Sequence, residues 1–555
     1  MLALVVVAGA AVLSLACGSS QPAAPAGGPA AGGEAGQPVQ PKVNRLVMGL
    51  VPPTVESNNP RHTGVTSMWH LNPMYEYMID MDAKTGKLAP GLATNWQVAP
   101  DGLSIKLTLR KGVQFHGGYG EFTAKDVVHS AWDVTREDSE AGYPIQTSRR
   151  AVSETVATGD YEAVVKLKYQ EADMIFLFSR SESGWEMMSK AHFDKLGKDP
   201  SMTETPVAGT SPYQFQARAQ GAFIRFERVP FKHWRVMPDF PEFEFRWMKE
   251  ASTRLAAQIT GEIQLTSLPE DLLQQAAGQG MKLVKATVPS FRIFLVPHCC
   301  YAADVNDASK GFLFPNSPLA NVQVRKALSK AINRDELNKA YFGGKGERLI
   351  VDPYHPTRPG WNPDWERRFP DDYGYDPAKA RQMLADAGFG PSNPLTTAIH
   401  VGRVAGVAAA EDIQEAIAGY WRAVGVKVDL EVRDTNDMSR QRSLLVFDHH
   451  WGLVGTNADN FAALHYHSMN PTRGNKLEDF EIQKLVQDVS STLDLAKQEE
   501  IWKKMGELIY QRAQTVPLFW LPAEAVYNPK IVAGWVWPGS ISGTWTHVEY
   551  IRAAS

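Results

Sequence analysis

The sequence predicts an α/β protein of at least two lobes, on three observations. The chain has 555 residues, and a single hydrophobic core stops growing at about 250–300 residues. Strand-like and helix-like apolar periods interleave along its body. In one stretch a helix, a glycine and a strand follow directly: Ile413, Ile417, Trp421 and Val424 make a helical stripe, Gly425 ends it, and Val426, Val428 and Leu430 alternate as a strand. That order is the return arm of a βαβ unit.

A leader precedes the body. Residues 2–15 are Ala, Val and Leu with one Gly and one Ser, the length of a secretory apolar region and short for a bilayer span. They run into Leu13-Ser14-Leu15-Ala16-Cys17-Gly18, which resembles a bacterial lipobox with Cys17 as the lipidated residue. Ser14 stands where such motifs usually carry Leu, and no Lys or Arg precedes the run. Residues 1–17 are thus expected to be a lipoprotein signal peptide. Residues 18–42, rich in Ala, Gly, Pro and Gln, cannot bury a core and predict a flexible tether.

In the body, Ile105, Leu107 and Leu109 alternate with Lys106 and Thr108, as in a half-buried strand. Thr123 and Asp126 offer the two halves of a capping box for a helix whose Val127 and Ala131 share a face. Further strands are predicted over 161–168, 223–228, 242–248 and 282–287. In the second half, Val324, Leu328 and Ile332 recur at helical spacing. Asp376 before Pro377 reads as an N-cap and a first-turn proline, and Gly388 closes that helix. Two short apolar stretches bounded by proline, 291–296 and 516–521, read as buried strands.

Composition excludes some functions. A formal net charge of -4 gives no basic surface for nucleic acid. The 15 Trp and 17 Tyr suit a cleft that is apolar yet offers polar handles. The sequence has no G-x-S-x-G elbow, H-E-x-x-H helix or phosphate loop, so an exported hydrolase is the weaker alternative. The three cysteines, Cys17, Cys299 and Cys300, have neither metal-type spacing nor a disulfide framework. A bond between adjacent cysteines is strained, so Cys299 and Cys300 are expected to be buried thiols. His449, His450, His465 and His467 attract a metal reading. Strand parity, however, sends His449 and His450 to opposite faces, so no metal ligands are expected.

Several segments together resemble the peptide/nickel class of bacterial extracellular solute-binding proteins, family 5. They are Leu88-Ala-Pro-Gly-Leu-Ala-Thr-Asn-Trp96 with Asp101-Gly102, Leu109-Arg-Lys-Gly-Val-Gln-Phe-His116, Phe122-Thr-Ala-Lys-Asp-Val127, and Gly209-Thr-Ser-Pro-Tyr213. Ser252-Thr-Arg-Leu255 with Gly261, Val324-Arg-Lys-Ala-Leu328 through Asp335, Asp376-Pro-Ala-Lys-Ala380 and Gly425-Val-Lys-Val428 follow in the family's order. The resemblance implies a two-lobed periplasmic-binding-protein-like fold (type II) with an extra subdomain on the first lobe. Residues 43–289 would form that lobe, 290–514 the second, and 515–555 the return. It implies capture of a peptide, peptide-like compound or metal chelate, delivered to an ABC permease of the inner membrane. It further implies a monomeric, membrane-anchored lipoprotein facing the periplasm or extracellular space, with no cofactor and no catalysis. A ligand sensor for a membrane receptor fits the same residues.

Candidate ligand-binding residues follow. Arg403, just past the strand predicted at 396–401, can grip a carboxylate bidentately. Trp451 and Trp520 are candidates for apolar walls. Peptide-binding relatives place an acidic residue in the loop holding Asp459 to meet the ligand's amine; Thr456 is the alternative occupant, and Asp459 equally suits capping the helix expected near Phe461. Tyr75, with Trp69, His70 and Glu76, is expected at the first lobe's edge.

Overall fold

The computed structural model describes residues 40–555 except 54, 63–67, 140–142, 172–173, 181–183, 198–204, 290, 357–359, 403, 405–406, 408, 434–444, 458–476, 493–494 and 540–544. The leader, Cys17 and nearly all of the tether fall outside the described residues, as do Arg403, Asp459, His465 and His467. Among the described residues, no helix is long and apolar enough to cross a membrane.

The chain opens with β1 (Arg45–Leu50) and leaves its sheet for a long excursion. A two-stranded ribbon, β2 (Ile79–Met81) and β3 (Leu88–Pro90), leads into β4 (Ala93–Val98), β5 (Ser104–Leu109), β6 (Val152–Gly159) and β7 (Glu162–Leu167), which pair antiparallel in the order β4-β5-β7-β6. This sheet packs with α1 (Ala124–Thr135), α2 (Tyr143–Ala151) and α3 (Met174–Leu177), and α4 (Lys190–Leu196) follows. The sequence dictates the start of α1: Thr123 N–H donates to Asp126 Oδ2 at 2.9 Å, and the reciprocal half of the capping box is also made. This sheet and its helices are the extra subdomain of the first lobe.

The chain then returns through β8 (Tyr213–Ala219), β9 (Phe223–Arg228), β10 (Glu242–Trp247), α5 (Ala251–Thr260), β11 (Leu265–Thr266), α6 (Glu270–Gly278) and β12 (Lys282–Lys285). With a late strand, β19 (Glu524–Tyr527), these complete a seven-stranded sheet in the order β12-β19-β11-β1-β10-β9-β8. Gly261 caps α5 in the left-handed conformation at φ 81°, which an L side chain rarely adopts.

The second lobe contains β13 (Phe291–His298), α7 (Val322–Lys330), α8 (Arg334–Phe342), β14 (Glu347–Arg348), α9 (Pro363–Tyr373), α10 (Pro377–Asp386), β15 (Thr396–Val401), α11 (Ala410–Ala423), β16 (Lys427–Val432), β17 (His450–Asn457), α12 (Phe480–Ser490), α13 (Leu495–Gln511) and β18 (Val516–Leu521). Its six strands run β14-β18-β13-β17-β15-β16. Strand β15, helix α11 and strand β16 are the expected βαβ unit, with Ile399 opposite Leu430 in a parallel pair. One face of the sheet buries Ile293, Leu295, Ile399 and Leu518 against Leu328, Ile413, Ile417 and Trp421. Asp376 caps α10 by accepting from the Lys379 amide at 2.8 Å, as the Asp-Pro pair predicts. After β19, the ribbon β20 (Val532–Trp535) and β21 (Ile551–Ala553) packs into the first lobe's core.

The two sheets are joined twice. Strand β12 belongs to the first and β13 to the second; β18 belongs to the second and β19, three residues on, to the first.

Two expectations need correction. Cys299 and Cys300 are buried, but as a disulfide rather than as thiols. Strand β13 ends at His298, so the pleat that would send neighbouring side chains to opposite faces is absent there. The parity argument for His449 and His450 fails in the same way. Strand β17 begins only at His450, and the two rings lie 4.6 Å apart between centroids.

Candidate functional site

Strand direction locates the site. Lys285 and Glu524 face each other where β12 and β19 meet the crossings. Strand β11 is antiparallel to β19 and parallel to β1, with Thr266 opposite Val526 and Gly49 opposite Thr266. The carboxyl ends of the parallel strands β1, β10 and β11 therefore point toward the crossing. In the second sheet, Phe291 opens β13 beside the crossing and pairs with Asn457 and Leu521. Strands β15 and β16 run parallel with β17, so their carboxyl ends point the same way. Ligand crevices in open α/β sheets lie outside the carboxyl ends of parallel strands, and clefts between domains are preferred sites. Here both sheets offer such an edge to one hinge.

On the first lobe this edge holds a depression of about 260 Å³ lined by Leu50, Val51, Pro52, Pro53, Trp69 and Arg254, among others. Trp69 stands edge-on to Phe245 and Trp247, with centroids 5.2 and 5.8 Å away. Arg254 does not offer its guanidinium to the mouth. It donates to the carbonyls of Met248, Lys249 and Ser267 at 2.8, 2.7 and 3.1 Å, tying together the loops that follow β10 and β11.

On the second lobe the edge is organised around Arg292. Its guanidinium donates to Asp352 Oδ1 at 2.6 Å, and both side chains are wholly buried. In register, Arg292 stands opposite Thr456 on one side and Trp520 on the other. Trp520 is buried, with its ring edge-on to His355 at 5.4 Å. Two candidates from the sequence thus flank an arginine that sequence reasoning treated only as part of an apolar stretch. The signal was there: a charged residue inside Phe291-Arg292-Ile293-Phe294-Leu295-Val296 cannot enter a core unless it is paired.

The remaining candidates divide. Arg403 and Asp459 lie outside the described residues; β15 and β17, which lead into them, run toward this edge. Trp451 is wholly buried in the second lobe's core, 5.4 Å from the Trp421 ring, and its Nε1 has no hydrogen-bond partner among the described residues. Tyr75 is wholly buried in the first lobe and donates to the Val207 carbonyl at 3.0 Å. His70 Nε2 pairs with the Ser57 carbonyl at 2.9 Å.

Glu76 enters a buried ion network beneath the edge. Arg235 donates to Glu76 Oε1 at 3.1 Å and to Glu549, and Arg180 lies 2.6 Å from Asp80 Oδ1 and 3.3 Å from Glu549 Oε1. Burial pushes the Glu76 carboxyl up. His233, Arg235 and Arg180 outweigh that and hold it near 2. His547 in the same network is held neutral by burial, its pKa brought down to about 4. These groups fasten the subdomain ribbon to the chain's C-terminal segment.

A family model described as bacterial extracellular solute-binding proteins, family 5, middle, matches residues 87–472. The chain is 25% identical over 503 residues to the dipeptide-binding protein of Escherichia coli, covering 84% of this chain and 86% of that one. It is 23% identical over 483 residues to heme-binding protein A of Haemophilus influenzae, covering 82% and 83%. The solved structure of NikA from Brucella suis in complex with Fe(III)-EDTA matches 92% of this chain and 100% of its own, with a TM-score of 0.72 at 18% identity, a likeness of fold.

Proposed function

The chain belongs to the bacterial extracellular solute-binding proteins of family 5, and from that premise we propose that it holds a short peptide or peptide-like compound between its lobes and hands it to an ATP-driven importer. The observation that supports this reading is the pair of parallel-strand edges turned toward one double crossing. A ligand touching both edges favours the closed arrangement by its differential affinity for it. Closure then strengthens the few polar contacts by excluding water. In this reading Arg403 grips the ligand carboxylate, and Asp459, or Thr456 in its place, meets the amine. Trp520 and Trp451 stiffen the second wall, and Tyr75 the first. A metal chelate is the second reading, favoured by the similarity to a heme-binding protein and to a fold seen with Fe(III)-EDTA.

The protein works as a monomer, anchored through an acylated Cys17, and releases its ligand chemically unaltered. Native mass spectrometry of the purified protein, followed by denaturation, tests the capture. A co-purified peptide-sized molecule of unchanged mass is expected. No retained molecule, together with no heat on titrating di- to tetrapeptides, would remove the peptide reading. Cys17→Ala is expected to move the protein from the membrane fraction to the soluble one.

A further inference from the structure

Near the carboxyl ends of β15 and β16, where β15 pairs only with the start of β17, the second sheet gathers a set of metal-ligating side chains that the proposed ligand contacts do not use. His400 on β15 stands opposite Glu431 on β16, and Ala398 on β15 stands opposite His450 on β17. The potential ligand atoms of His400, Glu431 and His450 all lie within 4.8 Å of one another. His450 Nε2 is 3.1 Å from Glu431 Oε1, and His400 Nε2 is 4.0 Å from Glu431 Oε2. Both imidazoles are buried, at 1% and 8% exposure. His450 Nδ1 has no hydrogen-bond partner among the described residues.

The surroundings orient these rings. Phe447 packs 4.5 Å from the His400 ring and 4.8 Å from His450, and His298 stacks on His400 at 5.7 Å. A Cβ at Gly452 would come within 2.8 Å of His298 Nε2, so only glycine leaves that ring its place. Arg433 holds Glu431 Oε2 at 2.7 Å, while Oε1 faces His450. Seven residue steps along β17, about 23 Å of strand, lead from His450 to Asn457 beside the crossing.

We propose that His400, Glu431 and His450 bind a divalent first-row transition-metal ion, through side chains that the proposed solute contacts do not use. Two imidazoles and a carboxylate with a position left open suit zinc and its neighbours. Metal–ligand bonds of about 2.0–2.2 Å hold donors about 3.3 Å apart. The potential ligand atoms lie within 4.8 Å of one another, so binding an ion would draw the side chains together. Arg433 keeps the second carboxylate oxygen and fixes the ligand's direction, as outer-shell partners do. Asp448 and His449, next to His450 in the chain, are paired with each other and line an open depression of about 610 Å³. Once bound, the ion clamps β15, β16 and β17 to one another.

The test uses the full chain, free of any affinity tag and stripped of metal by a chelator. It is titrated with zinc ion against a chromophoric competitor, with circular dichroism confirming that each variant is folded. One equivalent is expected to bind. His400→Gln, Glu431→Gln and His450→Gln should each weaken binding by at least the roughly 10–100-fold that loss of a supporting residue costs, and His449→Ala should leave it intact. Cobalt(II) should give the visible absorption of a low-coordinate site, lost in the same three variants. Zinc affinity unchanged in all three, or lost only in His449→Ala, overturns the assignment. Because the readout is metal alone, failure here leaves solute capture untouched.

Discussion

Lys345 of the second lobe places Nζ 2.5 Å from Glu270 Oε2 of the first, and 2.6 Å from Glu524 Oε2 just past the return crossing. The approach needs Gly343: a Cβ there would come within 2.6 Å of Glu270 Oε1, and its φ of +59° suits glycine. Burial would lower the Lys345 pKa, but hydrogen bonds to both carboxylates outweigh it and raise it. This cluster bridges the lobes beside the hinge. Lys345→Ala is expected to shift the population away from the lobe arrangement described here by about 1 kcal/mol, about five-fold, the discount reflecting its partial exposure. Spin-label distances between the lobes check it. Identical distance distributions with and without the substitution would show that the bridge is passive.

The wholly buried Arg292–Asp352 pair predicts a different behaviour. Truncating one partner strands a charge in the core, at about 3–5 kcal/mol, whereas replacing both by apolar residues of similar size is often close to neutral. Asp352→Ala should therefore lower the urea midpoint of the second lobe sharply. Arg292→Met with Asp352→Leu should recover most of the loss. A double variant no more stable than Asp352→Ala would mean that the pair holds the lobe together through its charges.

These two clusters mark what the sequence could and could not convey. Local chemistry was legible: the capping box at Thr123 and Asp126, the Asp376-Pro377 helix start and the βαβ step through Gly425 all stand as their residue types require. Periodicity misled only slightly, since Ile332 continues the stripe of Val324 and Leu328 but lies past the end of α7. Contacts between distant segments were not legible. Arg292 meets Asp352 and Lys345 meets Glu270 only because strand order and the double crossing bring them together. No local pattern encodes that meeting. The same holds for His400, whose partner His450 follows it by a whole βαβ unit.

Glu186 predicts a pH dependence. Burial pushes its carboxyl up to about 7 from an ordinary value of 4.5, although the Gly184 amide and the Tyr77 hydroxyl both donate toward it. The single Tyr77 hydrogen also faces Asn72 Oδ1 at 2.8 Å, closer than Glu186 Oε1 at 3.0 Å. A protonated Glu186 resolves the competition by donating to Tyr77. Between pH 4.5 and about 7 the folded state holds a proton that the unfolded state has released, so this group's contribution to stability falls as pH rises through that window. Glu76, held near 2, acts in the opposite sense and loses its contribution only as pH falls below 4.5. Glu186→Gln should remove the decline that begins near pH 4.5 and is complete just above pH 7, a gain on the order of 3 kcal/mol at the alkaline end. Parallel urea-midpoint profiles for the two proteins would contradict the raised carboxyl.

Gly209 gives a steric prediction. A Cβ there would lie 2.0 Å from the Met74 carbonyl oxygen and 2.7 Å from Tyr75 Cδ1. Both neighbours are fixed, Tyr75 by its bond to Val207 and the Met74 carbonyl by accepting from the Ser211 amide. Gly209→Ala should therefore cost about 1–3 kcal/mol or more, the range for overpacking. A thermal midpoint within error of the parent would show that the 74–75 segment can yield.

Arg403→Ala separates carboxylate recognition from mere shaping of the edge. Charged hydrogen bonds contribute about 1.5–3 kcal/mol, so on the proposal that Arg403 grips the carboxylate, loss of the guanidinium should weaken a peptide with a free C-terminus about ten-fold or more. The same peptide amidated at its C-terminus has no carboxylate to lose, so the substitution should leave its affinity nearly unchanged. Calorimetric titration of both peptides against both proteins closes a double-mutant cycle, and only a direct contact yields a coupling term of that size. An equal loss for both peptides would assign Arg403 to the architecture of the edge, and no loss for either would take it out of the site.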